Sequence, residues 1–244
     1  MKSTAGTCLR LLPCLLLAGT ALAYTPEPFT AEYEASYSGL VANARRQLVT
    51  DGTNRFAMSS VLELKLFGNT VTSISENSLL EQTGSEADLR PLAYDFVQTG
   101  IGSRNRQVTF HWDQAIAVTS EDDRQASLTL PGLVTDNLSA FLEIRRQLHE
   151  GREQIVFDSI EKGELKTVQF NVLGEEVIKT PAGSLSAVRL EKVREPGSDR
   201  HTHLWLAPAL DYLLVRLVQD EPDAGKIRLD LKKASVNGRA VPAL

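Results

Sequence analysis

The densest group of chemistry-bearing side chains in the sequence is Asp199, His201 and His203. On a strand, His-x-His places both imidazoles on one face, about 7 Å apart, and a carboxylate joining them would complete a divalent-metal site. Trp205 continues the same face, and a Pro-Gly-Ser-Asp turn precedes the pair. Two histidines beside a turn are ordinary at a solvated strand edge, so no metal is expected there. Ser184 lacks the glycine two residues on that a nucleophile elbow requires. Glu121, Asp122 and Asp123 form an acidic run without the spacing of a calcium loop. His111 and His149 have no partner that the sequence identifies, and there is no glycine-rich phosphate loop. Neither catalytic residues nor a cofactor is expected. A small metal-dependent hydrolase is the weakest reading.

Composition narrows the alternatives. The chain of 244 residues has a formal net charge of −5. Lys2 and Arg10, the Leu11–Ala18 run and Ala21-Leu22-Ala23 have the order of a cleaved secretory leader over residues 1–23. That apolar run is too short to span a bilayer, so a membrane-spanning protein is not expected. Both cysteines, Cys8 and Cys14, fall inside the leader, which leaves residues 24–244 without disulfides, thiol chemistry or cysteine-bound zinc. The leader takes two basic residues and no acidic one, so the remainder is more acidic still and repels nucleic acid. A periplasmic protein with one β-rich domain over residues 24–244 is expected.

The elements are written in alternation. Phe29, Ala31, Tyr33, Ala35 and Tyr37 share one face, and Thr30, Glu32, Glu34 and Ser36 the other. Similar runs recur from Val41–Thr50 to Lys226–Val236, separated by Gly, Pro, Asn and Asp. Only Leu138–Glu150 has helical periodicity, with Thr135, Asp136 or Asn137 to cap it and Gly151 to stop it. The fold class is mainly β: a single large, curved antiparallel sheet, a half-barrel or barrel, with one covering helix. The pairs Arg45-Arg46 and Arg104-Arg106 are expected on the wet face.

Three stretches carry a resemblance: Asp136-Asn137-Leu138-Ser139-Ala140-Phe141-Leu142 with Arg145; Thr180-Pro181-Ala182-Gly183-Ser184-Leu185-Ser186-Ala187-Val188-Arg189-Leu190; and Leu204-Trp205-Leu206-Ala207-Pro208 running to Leu214-Val215-Arg216. They resemble domain of unknown function family 3108, exported single-domain proteins of Gram-negative bacteria. Leu214 stands where the last motif usually has proline, which implies a local change in strand pairing. The resemblance supplies no catalytic residues. It implies a fold similar to periplasmic lipoprotein-carrier-like half-barrels, and fold does not fix function.

A dozen strands present more inward side chains than one four-turn helix can cover. The expectation is therefore a cavity for a lipid-like or apolar molecule, or an apolar segment of a partner, lined by Tyr33, Tyr37, Phe56, Met58, Leu62, Phe110, Trp112, Phe141 and Leu142, unless these same residues simply form a dry core. The alternative is an envelope adaptor that binds another protein along a sheet edge, with Val41–Thr50 and Lys226–Val236 as the candidate edges.

Overall fold

The computed structural model describes residues 24–37, 40–84, 88–122, 124–222 and 225–241. The leader expected over residues 1–23 lies outside them, as do residues 38–39, 85–87, 123, 223–224 and 242–244. The opening alternation becomes β1 (Phe29–Tyr37), with Phe29, Ala31, Tyr33 and Ala35 buried and Thr30, Glu32 and Glu34 exposed. A meander of hairpins follows: β2 (Leu40–Thr50), β3 (Arg55–Leu66), β4 (Asn69–Thr83), β5 (Asp88–Gly100), β6 (Arg104–His111), β7 (Ile116–Glu121) and β8 (Arg124–Thr129). After β9 (Val134–Thr135) and the helix α1 (Ser139–His149) comes a second meander: β10 (Gln154–Glu161), β11 (Glu164–Thr180), β12 (Gly183–Lys192), β13 (His201–Ala207), β14 (Leu213–Glu221) and β15 (Gly225–Val236). A last short strand, β16 (Arg239–Ala240), folds back on β15. The two runs expected at Leu165–Leu173 and Glu176–Lys179 are one strand, β11, bent where its pairing shifts between Val172 and Gly174.

The two meanders are joined by the first and last long strands. β1 pairs antiparallel with β15, from Phe29 opposite Val236 to Tyr37 opposite Ile227. The order across the sheet is β8-β7-β6-β5-β4-β3-β2-β1-β15-β14-β13-β12-β11-β10-β9, and only the β9–β10 pair is parallel. Laid flat at about 4.8 Å per strand, its ends would stand some 65 Å apart. Yet β8 and β9 are successive strands, and Thr129 to Val134 can reach no more than about 18 Å. The sheet must therefore curl until its ends approach. The helix stands in that gap, against β5 from one meander and β9 and β10 from the other.

Strand order also corrects an expectation. The two segments taken as candidate edges, β2 and β15, lie in the middle of the sheet with partners on both sides. Among the described residues the sheet ends at β8 and β9, and the two-residue β9 leaves part of β10 uncovered.

The buried core runs along the inner face of both meanders and the underside of α1, where Leu138, Leu142, Ile144 and Leu148 are buried. Asp136 caps the helix. Its Oδ1 accepts the backbone N–H of Leu138 at 2.8 Å and of Ser139 at 2.9 Å, and its Oδ2 accepts Ser78 Oγ–H from β4 at 2.6 Å. The Ser139 hydroxyl accepts the Asp136 N–H in return, as in a capping box. Asn137 Nδ2 donates to Tyr94 on β5, whose hydroxyl donates to Glu76 on β4. The start of the helix is thus tied to the first meander by side chains of its own capping sequence.

Asp136 is fully buried, and burial outweighs its three donors, pushing its carboxyl from 3.8 up to about 6. The folded state therefore binds this proton more tightly than the unfolded chain. The associated stability is complete below pH 4 and lost as pH rises through 6. Comparing Asp136→Asn with the parent by urea denaturation, the parent should gain on the variant by about 2–3 kcal/mol between pH 7 and pH 4. Parallel pH profiles would contradict it. Asp136→Ala, which orphans two buried N–H groups, should cost about 2–3 kcal/mol at pH 7.

Candidate functional site

The far end of α1 is held by a buried charge. Arg145, 3% exposed, donates from Nε to the carbonyl of Asp211 at 2.7 Å and from Nη2 to its carboxylate. The same carboxylate accepts the backbone N–H of Glu27 at 2.9 Å and faces His149 Nε2 at 2.6 Å. Asp211 can turn towards the helix because it and Tyr212 are both left-handed, at φ 53° and 52°, just after the 3-10 turn Pro208–Leu210. Tyr24 and Tyr212 pack on the His149 ring. Histidine, aspartate and arginine meet here, and the Tyr24 hydroxyl also donates to the Asp211 carboxylate at 3.3 Å. The arrangement joins the helix to the second meander and to the first described residues of the chain. Burial draws the Arg145 guanidinium below its ordinary range. Its Nη1 is buried without a hydrogen-bond partner.

Beside the helix lies a polar groove of about 820 Å³. One wall is α1, through Glu143, Arg146, Gln147 and Glu150. The opposite wall is β10 from Gln154 to Asp158, and residues 131–135 form the end. The charges on the helix wall satisfy one another, with Arg146 between Glu143 and Glu150 and Arg152 against Glu150. β10 bonds to β11 along its other side, and the Glu153 carbonyl accepts Val172 N–H in the same phase. Main-chain groups alternate in direction along a strand, so Gln154, Val156 and Asp158 direct theirs into the groove. Gln147 takes up one of those positions. Its Nε2 donates to the Val156 carbonyl at 2.9 Å, and its Oε1 accepts Val156 N–H at 3.1 Å. A side-chain carboxamide thus makes the two bonds that a neighbouring strand would make. The Thr135 hydroxyl meets the Asp158 carbonyl at 3.2 Å. At Gln154 the edge is open.

The nine residues expected to line an apolar cavity do not share one. Tyr33, Met58, Phe141 and Leu142 do converge beneath the helix, but the space among them is only about 10 Å³. The Tyr33 hydroxyl donates to the Leu214 carbonyl at 3.0 Å, and burial pushes its phenol up to about 12. Phe56 is buried in β3, and Leu62 is half-buried further along that strand. Phe110 and Trp112 stack on each other at 5.6 Å, and the indole N–H donates to the Pro91 carbonyl. Tyr37 is exposed, at the far end of β1.

Other candidates resolve by position. His201 and His203 both approach Glu191, at 3.7 and 3.4 Å, and no cluster of three potential metal ligands occurs among the described residues. Trp205 lies between Arg189 and Arg216, with its N–H on Glu176. Two arginines depart from the wet face. Arg46 stands over the Phe141 ring at 4.3 Å, and Arg106 is buried against Glu121 and Phe96. Successive strand residues point to opposite faces, so Arg45 is exposed while Arg46 is half-buried. At Leu214 the pairing shifts, with Leu206 opposite Leu214 and Trp205 opposite Arg216.

Sequence reasoning overlooked Gln147, Gln154 and Asp211. Gln147 had a signal: it falls one turn after Ile144, on the buried side of the helix.

Residues 32–232 match the family described as "Protein of unknown function (DUF3108)", and the chain belongs to that family. No curated protein matches it. Among solved structures it is similar to the crystal structure of a β-barrel-like protein of domain of unknown function DUF1849 from Brucella abortus. The TM-score is 0.57 at 9% identity, over 87% of this chain and 99% of the other. That likeness is one of fold. No helix among the described residues is long and apolar enough to cross a membrane.

Removing Arg145 would leave the buried Asp211 carboxylate without its guanidinium partner. Arg145→Met should cost about 3–5 kcal/mol by chemical denaturation. Adding Asp211→Asn, which tolerates the left-handed backbone, should restore part of that loss. A single variant as stable as the parent would show that the pair does not anchor the helix.

Proposed function

We propose that this protein is a non-enzymatic binding protein of the periplasm that receives an extended segment of a partner protein in the groove beside β10. The observation that supports this reading is the open edge at Gln154, next to a position where Gln147 already imitates a strand. An extended peptide continuing from that position adds main-chain hydrogen bonds at Gln154. It also lays an apolar side chain over the exposed Val156. The self-neutralised helix wall suits a segment of low net charge.

The test uses peptides selected from a random displayed library on the full chain, with affinities measured by fluorescence anisotropy. Gln154→Pro removes an outward N–H at the first residue of the strand, where proline is tolerated and the β11 ladder is untouched. Val156→Asp places a charge in the groove. Each should weaken the selected peptides at least ten-fold with little change in melting temperature. Selection of no peptides, or of peptides that bind both variants like the parent, would overturn the reading.

A lipid-like or apolar ligand beneath α1 is the second reading. One observation favours it: Arg145 Nη1, without a partner, and Arg46 both border the small apolar space. About 10 Å³ admits no acyl chain, so α1 would have to lift. Native mass spectrometry of gently purified protein should then show a lipid-sized adduct. Its absence, with no saturable uptake of a fluorescent fatty acid, would discard this reading.

A further inference from the structure

Two guanidiniums meet beneath α1. Arg145 comes from the helix and is 3% exposed. Its Nε and Nη2 go to Asp211, which turns Nη1 away from that carboxylate, buried and without a hydrogen-bond partner among the described residues. Arg46 comes from β2 and is half-buried. Its guanidinium stands over the Phe141 ring, and it has no ion pair among the described residues. Both arginines border the same space of about 10 Å³, and the charge of each bears on the Tyr33 hydroxyl beside it.

The nearby acids do not balance this pair. Asp211 is committed to Arg145, His149, the Tyr24 hydroxyl and the Glu27 N–H. The Glu27 side chain is exposed. Neither acid borders the space. A cation buried without its counter-charge is costly. The lining is also short of acceptors. Phe29, Met58 and Leu142 are apolar, and the Tyr33 hydroxyl donates its hydrogen to the Leu214 carbonyl. A water would bring two hydrogens of its own, and the apolar walls offer them no oxygen. An anion only accepts, which is what N–H groups from two sides require. About 10 Å³ is room for one group the size of a water.

We infer that a single anion of halide size binds between Arg46 and Arg145 and bridges α1 to β2. It neutralises the excess buried charge and gives Arg145 Nη1 its acceptor, so it is bound by the folded chain alone and adds to its stability. The site takes α1 where it stands. It is therefore separate from the lipid reading, which needs α1 to lift, and from the β10 groove.

The test melts the full chain in sodium chloride, sodium bromide and sodium gluconate at equal ionic strength and pH. Gluconate is too large for the space and controls for screening. Both halides should raise the melting temperature along a saturating curve relative to gluconate. Arg46→Met keeps the apolar stem and removes the charge, so it should need about ten-fold more halide, or more, for the same rise. In gluconate it should melt at or above the parent, because the buried charge is gone. Arg46→Lys should keep part of the halide response. Crystals of the parent grown with bromide should show an anomalous peak between the two guanidiniums. Equal melting in all three salts, an Arg46→Met response like the parent's, or a water in that place in the bromide-grown crystal would each overturn the proposal. A lipid adduct without a halide effect would support the lipid reading and overturn this one.

Discussion

The pairing of β1 with β15 is the constraint from which the rest follows. It takes the strand with the clearest alternation and sets it against the last long strand, so that two sequential meanders become one sheet. The break in that sheet then falls mid-chain, where a short connection forces the two ends together. A curled sheet with a gap leaves a place for α1. There α1 is held at its start by Asp136 on Ser78 and near its end by Arg145 on Asp211. Each contact bonds the helix to a different meander, so the helix fixes the width of the gap. Both carry buried charge, which makes them specific and costly to disturb.

This explains why the interior is full. Each strand contributes inward side chains, and counting strands overestimates the space they leave. Strong curvature brings opposite walls together, and Phe141, Leu142 and the stem of Arg46 occupy the centre. What curvature cannot remove is the edge. A two-residue β9 leaves β10 half uncovered, and the protein protects part of it with one carboxamide. Edge strands are usually blunted by charge, proline or a bulge. Protection by a single glutamine side chain covers one ladder position, at Val156, and leaves Gln154 uncovered.

Much of the fold was legible locally. Period two reports which face is buried, so β1 and the inner-face residues Phe56, Met58 and Phe110 could be read from spacing alone. The helix and its capping sequence were equally plain, and the motifs that carry the family likeness proved to be its anchors and turns. Strand order is a different kind of information. Nothing in Val41–Thr50 says that it has neighbours on both sides, and its polar character suggested an edge. The partner of Arg145 lies 66 residues away on a left-handed turn, beyond any local pattern.

The central claim is that β10 presents an open ladder position at Gln154, next to one occupied by Gln147. Amide hydrogen exchange resolved along β10 tests it directly. Ile155 and Phe157 should be protected through β11, Val156 should be protected through Gln147 and lose that protection in Gln147→Ala, and the Gln154 amide should exchange freely in the unbound protein. A Gln154 amide as slow as its neighbours, or a Val156 amide as fast as Gln154 in the parent, would contradict the account.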